Sequence, residues 1–319
     1  MLFSFCNSNI YPDRVFLFQP IFRLDAHMTN RNKLEQLVPL LTRIAEALER
    51  IAPNYQFPDN LNDAPGYIWE AQLSQLQQIE EIELLPLSCL KGIEQQKHQL
   101  LENSRAFAKG LRANNALLWG ARGTGKSSLL KAVHGQLLLE GLDCAIVEVQ
   151  REDIQDLPYI MRELKKSKRR FILFCDDLAF EEADSSYKSL KAALEGGLSG
   201  RPNNIVFYAT SNRRHLMPRQ MIDNEIGSAI NPSEAIEEKI SLSDRFGLWI
   251  GFHSVDQDTY LSMIEHYIAF YELPVQLEKV KSEALTWCIG RGHRSGRTAY
   301  QFIIHLAAKM DITLKAKSN

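Results

Sequence analysis

The sequence predicts an α/β protein built on a five-stranded parallel sheet, with a helical arm before it and a small helical lid after it. Three observations predict this. Five short apolar runs, Ala116–Trp119, Ala145–Val149, Phe171–Cys175, Ile205–Thr210 and Leu248–Phe252, alternate with helical patterns, as the strands of a parallel sheet do with their crossover helices. The first run leads into a glycine-rich loop and then directly into a helical pattern. After Phe252 no strand pattern recurs, and three helical stretches follow, Asp256–Tyr271, Leu277–Ile289 and Thr298–Met310.

The elements take their order along the chain. Residues 1–27 are rich in Phe but have no basic start, and Asp13, Arg14 and Pro20 interrupt them, so they do not read as a signal peptide. The expectation is a poorly structured leader, with translation starting at Met28. Residues 32–51 carry Leu34, Leu37, Val38, Leu41, Ile44, Ala45, Leu48 and Ile51 at helical spacing, ended by Pro53 and Pro58. The stretch Asn54–Gly66 is loop-like, and a second helical pattern is expected over Tyr67–Ile79. This gives a helical N-terminal region over 28–86 with no chemistry of its own, a packing or oligomerisation arm. An α/β nucleotide domain follows over 87–253, with helical patterns such as Ser127–Glu140 and Ser185–Glu195, the latter stopped by Gly196-Gly197. Residues 254–319 form the lid.

Composition narrows the function classes. The chain has 319 residues, enough for two domains and an extension. With 45% hydrophobic and 24% charged residues it has the balance of a soluble globular protein. A net charge of −2 argues against bulk electrostatic affinity for nucleic acid or anionic membrane and leaves room for a local basic patch. No stretch reaches the roughly 18 apolar residues of a membrane span, so no membrane partner is expected. Cys6, Cys89, Cys144, Cys175 and Cys288 lie far apart without a CxxC pair. That pattern fits a reducing, cytoplasmic setting and gives no metal or disulfide signal. None of the eight histidines forms a metal-ligand spacing, and His266 and His305 read as structural.

The glycine-rich loop carries the chemistry. Gly120-Ala121-Arg122-Gly123-Thr124-Gly125-Lys126-Ser127 matches G-x-x-x-x-G-K-[ST] in full. Its glycines permit a tight turn that aims backbone N–H groups at phosphate oxygens. Lys126 places a point charge near the β- and γ-phosphates, and Ser127 offers a hydroxyl to Mg²⁺. The helix that begins at Ser127 and Ser128 directs its positive end at the anion. Strand before and helix after make this a P-loop, so the fold class is a P-loop NTPase with ATP and Mg²⁺ as ligands. Phe171–Cys175 then reads as a strand buried on both faces that ends in Asp176-Asp177, about fifty residues after Lys126. Asp176 is the candidate for holding the Mg²⁺ shell. Asp177 is the candidate general base or water-positioning group. Glu181 and Glu182 are alternatives that read as solvated acids at a helix start.

These residues resemble the AAA+ ATPases over roughly 87–310. Ile205-Val-Phe-Tyr-Ala-Thr-Ser-Asn212 is similar to the sensor-1 strand, which implies that Asn212 orients the attacking water with Asp177. Ser241-Leu-Ser-Asp-Arg245-Phe-Gly247 resembles the box that carries the arginine finger. It implies that Arg245 acts in trans on a neighbour's ATP and that the active form is a homo-oligomer. Gly292-His-Arg294-Ser-Gly-Arg297-Thr-Ala is similar to the start of the sensor-2 helix. Arg297 is preferred to Arg294 because a cation at a helix start opposes the dipole unless it faces a phosphate. Leu90-Lys-Gly-Ile93 resembles the segment that closes over adenine. More narrowly, GARGTGKSSLLKA, FILFCDDLAFEE, YATSNRRHLMP and EEKISLSDRFGLWIGF resemble a bacterial family of AAA+-type ATP-binding proteins of unknown function.

The resemblance implies an ATPase that couples hydrolysis to movement of lid and subunits, with a protein or nucleic-acid client. Two departures matter. Asp177 stands where many relatives carry Glu and is about 1.5 Å shorter in reach, which favours a slow, nucleotide-gated loader or adaptor as the alternative. No aromatic pore loop follows the second strand, unlike in threading unfoldases. A small-molecule P-loop kinase is disfavoured by the SDRFG box and the helical lid. The run Lys165–Arg170 precedes the metal strand and reads as a solvated turn at the sheet end away from the nucleotide. Arg213-Arg214-His215 lies nearer the active face, and Arg122 is expected to be exposed.

Overall fold

A computed structural model describes residues 30–51, 61, 64–82, 85–180, 186–196, 200–214, 216 and 242–314. The expectations for the leader at 1–27, Met28, Glu181, Glu182, Gly197, His215 and Ser241 lie outside the described residues. The chain divides into two units, residues 1–54 and 55–319.

In the first unit, α1 spans Asn30–Ile51 and contains Pro39. Leu37, Val38, Leu41 and Ile44 are exposed on it.

The second unit is built on one seven-stranded sheet. Its strands are β1 (Gly66–Glu70), β2 (Gln75–Ile79), β3 (Ala116–Gly120), β4 (Cys144–Glu148), β5 (Arg170–Cys175), β6 (Ile205–Ser211) and β7 (Leu248–Phe252). The order across the sheet is β2-β1-β4-β5-β6-β3-β7. The five expected strands are all present and parallel. The sheet is wider than expected because β1 adds to β4 in parallel and β2 pairs antiparallel with β1.

The helix expected over Tyr67–Ile79 is therefore corrected to a β-hairpin. The residues Ala71, Leu73, Gln75, Leu76, Gln77 and Gln78 favour helix locally. Tertiary burial overrides that preference. Tyr67 and Trp69 alternate into the core at 1% exposure each, and Trp69 Nε1 donates to Asp156 Oδ2 at 3.0 Å. A fully buried aromatic pair at period two fits a strand with one face packed.

Helices cover both faces, as continuous apolar strands require. The helices are α2 (Glu94–Ala108), α3 (Lys126–Leu139), α4 (Leu157–Leu164) and α5 (Ser186–Glu195). Leu118, Ile172 and Tyr208 pack with Leu100 of α2 and with Leu129 and Val133 of α3. Leu117, Leu173 and Phe207 face the other way, with Ile160 of α4 and Leu190 of α5. Cys175 is a fully buried core residue, and the described cysteines Cys89, Cys144, Cys175 and Cys288 are free and buried.

Three more helices, α6 (Gln257–Phe270), α7 (Leu277–Gly290) and α8 (Gly296–Lys309), share a third apolar cluster centred on Tyr260, Ile264, Phe302 and Ile303. The side chain of Asp256 caps α6 and that of Ser295 caps α8. Among the described residues no helix is long and apolar enough to cross a membrane.

Candidate nucleotide site

The site sits at the carboxyl ends of β3, β5 and β6, where open parallel sheets collect ligands. The strand β3 ends at Gly120, whose backbone has φ 140°. A Cβ there would lie 2.0 Å from the Phe252 carbonyl oxygen on neighbouring β7, so only glycine fits between the strands. The chain then loops through residues 121–125 and enters α3 at Lys126, with Gly125 in the left-handed region at φ 95°. Thr124 Oγ1 donates to the Ala121 carbonyl at 2.8 Å and closes the loop on itself.

Lys126 folds back into this loop. Its ammonium donates to the carbonyl oxygens of Gly120 and Ala121 at 2.8 Å each and to Asn212 Oδ1 at 3.1 Å. Burial pulls its pKa below the ordinary lysine range, the carboxylates of Asp176 and Asp177 oppose that pull, and Arg297 and Arg122 add to it. A buried cation held by carbonyl oxygens is one that a phosphate can take over without a large desolvation cost.

The acids follow β5. Ser127 Oγ donates to Asp176 Oδ1 at 2.5 Å, and Thr210 Oγ1 donates to the same oxygen. Asn212 Nδ2 donates to Asp177 Oδ1. Asp177 has φ 50°, a left-handed backbone uncommon for a residue with a Cβ. Its N–H donates to Thr210 Oγ1 at 3.0 Å, and the Leu178 N–H returns to the Thr210 carbonyl at 2.7 Å.

The start of α8 lies against the loop. The Arg297 N–H donates to the Gly123 carbonyl at 3.3 Å. A Cβ on Gly123, which has φ 77°, would meet Ser295 Oγ at 2.9 Å and Arg297 Cβ at 3.3 Å. The absence of a side chain at Gly123 thus lets the helix and the loop touch.

These groups line one cavity of about 780 Å³, a size that suits a nucleotide. Of the residues singled out from the sequence, Arg122, Gly123, Gly125, Lys126, Ser127, Ser128, Asp176, Asp177, Asn212, Arg297 and Leu90 line it. Gly120, Ala121 and Thr124 shape the loop behind it. Ile93 is buried beside Gly125, with Cδ1 3.8 Å from the position of a Cβ there. Arg122 is exposed. Arg294 is outside the lining, whereas Arg297 is part of it. Arg245 is elsewhere, with its guanidinium on Glu195 Oε1 at the end of α5.

Sequence reasoning missed three contributions. Tyr267 and Phe270 of α6, Tyr271 just after it and Tyr300 of α8 form an aromatic wall, with Tyr267 and Tyr300 centroids 5.7 Å apart. The signal was a stripe at i, i+3 and i+4, which elsewhere marks a helix core. Lys131, one turn beyond Ser127, adds a second lysine to the lining. Thr210 is buried at 1% and joins the two acids.

In the cationic run before β5, Lys165, Lys166 and Lys168 are exposed, as a solvated turn requires, and the two arginines are structural. Arg169 is buried and donates to Asp143 and to the carbonyls of Leu61 and Ala64. Arg170 bonds the Asn203 carbonyl and covers the Phe107 ring. At the carboxyl end of β3, Arg214 stacks over Trp119.

The chain belongs to the family described as "Protein of unknown function (DUF815)", whose profile matches residues 62–310. Its core, a mostly parallel sheet flanked by helices, shares its fold with solved structures at low sequence identity. An Aeropyrum pernix ORC1 protein solved in complex with DNA is similar at 14% identity and a TM-score of 0.50, over 69% of this chain and 61% of that one. The Thermotoga maritima RuvB Holliday junction branch migration motor is similar at 14% identity and a TM-score of 0.46, over 72% of this chain and 68% of that one. At 14% identity the likeness to the ORC1 protein is one of fold alone. No curated protein matches the chain.

Proposed function

We propose that this chain is a Mg²⁺-dependent ATPase of the AAA+ type, in which turnover drives movement between residues 87–253, the helical lid at 254–319 and neighbouring subunits. The observation that carries this reading is the convergence of Lys126, Ser127–Asp176, Asp177–Asn212 and Arg297 on one cavity. The residues suit the ligands. Ser127 and Asp176 offer hard oxygen donors within 2.5 Å of one another, the chemistry Mg²⁺ selects. When bound, Mg²⁺ neutralises charge on the β- and γ-phosphate oxygens.

In the mechanism, Lys126 and Arg297 hold the phosphates and stabilise the charge that spreads over the transferred group. Asp177 accepts a hydrogen bond from the attacking water, and Asn212 Nδ2 fixes that carboxylate. Arg245 of a neighbouring copy completes the site. Its side chain lies outside its own chain's cavity, is 23% exposed and pairs with Glu195.

Phosphate release from ATP by the purified full chain tests the reading. Mg²⁺-dependent release is expected, falling at least about 10²-fold in Lys126→Ala. An Asp177→Asn variant should bind ATP yet release little phosphate. A wild-type chain that binds no nucleotide would refute the proposal.

A second reading rests on Asp177 itself, whose shorter carboxylate is held by Asn212. A gated loader or adaptor would hold ATP for long periods and signal by occupancy. Turnover no faster than nucleotide dissociation, in the presence of candidate protein and nucleic-acid clients, selects this reading over the motor.

A further inference from the structure

At the end of β5 the ladder with β6 is interrupted. Cys175 still opposes Ala209, and Leu178 returns to the Thr210 carbonyl at 2.7 Å. Asp176 and Asp177 are displaced from the ladder between these two points. The backbone N–H of Asp177 finds no carbonyl there and donates instead to a side chain, Thr210 Oγ1, at 3.0 Å. A hydroxyl has one proton, and that of Thr210 goes to Asp176 Oδ1.

We propose that Thr210 is a positioning residue that sets the two acids as one unit: its hydroxyl donates to the carboxylate of Asp176 and accepts the amide of Asp177. This inference rests on the ATPase reading above and adds a residue that the phosphate-loop and acid motifs do not contain.

The bonds around Thr210 form a closed circuit. Lys126 reaches Asn212, Asn212 reaches Asp177, the Asp177 amide reaches Thr210, and Thr210 reaches Asp176, which Ser127 also reaches. The circuit begins and ends on consecutive residues of the phosphate loop. Thr210 is its one link in the sheet interior, 1% exposed, while both acids are exposed. Three features suit threonine to this position. Its β-branch restricts χ1, so the hydroxyl is held in one direction. It favours strand geometry in β6. Its oxygen can hold the left-handed backbone of Asp177, which a carbonyl in the regular ladder could not reach. Without that hold the carboxylate of Asp177 loses its direction toward Asn212, and the carboxylate of Asp176 loses one of the two donors on Oδ1.

Three forms of the full chain test the inference: wild type, T210V and T210S. Valine has the shape of threonine and suits a strand, so T210V removes the hydroxyl alone. Binding of a fluorescent ADP is measured in EDTA and across a Mg²⁺ titration, and again with Mn²⁺ by electron paramagnetic resonance. Phosphate release from ATP is followed in parallel. In T210V the metal-free affinity should stay within about twofold of wild type, because the phosphate loop is untouched. The half-saturating Mg²⁺ concentration should rise about tenfold and kcat should fall about tenfold, the scale of one lost hydrogen bond to a charged group. T210S should recover both to within about threefold.

Wild-type Mg²⁺ dependence and rate in T210V would overturn the inference, as would a T210S variant as impaired as T210V, which would make the residue a packing element. If T210V does not melt cooperatively, T210A removes the same hydroxyl and is read by the same criteria. Absence of Mg²⁺-dependent nucleotide binding in wild type would refute the ATPase reading and this inference with it. Binding without turnover would refute hydrolysis alone and leave the metal titration to decide on Thr210.

Discussion

His134 shows what burial does to a single group. It lies on α3 at 0% exposure, with Nε2 2.9 Å from the Cys144 carbonyl. A carbonyl only accepts, so the proton is on Nε2, and the buried Nδ1 has no partner. Burial, with a smaller contribution from Arg169, holds its pKa down at about 4, while the bond to Cys144 opposes the shift. The unfolded chain therefore binds a proton between pH 6.5 and 4 that the folded chain does not. The stabilising effect of the neutral ring is fully present above pH 6.5 and lost as pH falls toward 4. The expected loss is on the order of 3 kcal/mol. Urea unfolding at pH 7 and pH 4.5 should show it in wild type and show a smaller pH dependence in His134→Gln. Equal pH dependence in the two would exclude His134 as the source.

At the scale of elements, the β1–β2 hairpin depends on groups distant in sequence. Arg169, just before β5, donates to the carbonyls of Leu61 and Ala64 at 2.7 Å each and so fixes the chain that enters β1. Its side chain is 5% exposed, whereas its ionic partner Asp143 is 68% exposed, so the carbonyl bonds matter more than the ion pair. Arg169→Met keeps the apolar stem and removes the donors. It should cost about 3 kcal/mol, seen as a lower urea midpoint at unchanged slope. A loss under about 1 kcal/mol would mean that water replaces the guanidinium. The five parallel strands were legible because each is a continuous apolar run between helical patterns. The hairpin was not, because its glutamines and leucines favour helix when the residues of β4 that pair with it are 80 positions away.

At the scale of the molecule, the arginine-finger proposal is a statement about an assembly. Arg245 is paired to Glu195 and does not line its own chain's cavity. If it serves a neighbour, two inactive variants should repair one another. Arg245→Ala has an intact phosphate loop, and Lys126→Ala has an intact finger. Mixed in equal amounts under conditions that allow subunit exchange, about a quarter of interfaces would pair a sound loop with a sound finger. Steady-state ATPase of the mixture should rise well above either variant alone. A mixture no more active than its components, with exchange verified, argues for action within one chain or for none.

The sequence by itself determined the glycine-rich loop between β3 and α3, the acid pair after β5, the five parallel strands and the three helices that follow β7. These are local facts, because a tight glycine turn, a buried strand and an amphipathic helix each leave a pattern within about a dozen residues. The tertiary structure alone decided that Tyr67–Ile79 is a hairpin, that aromatic side chains at the end of α6 and on α8 complete the cavity wall, and that Thr210 joins the two acids. Each of these depends on contacts between residues far apart in the chain. Burial and hydrogen bonding across that distance outweigh local preference, and a local pattern such as the aromatic stripe does not by itself say which surface it meets.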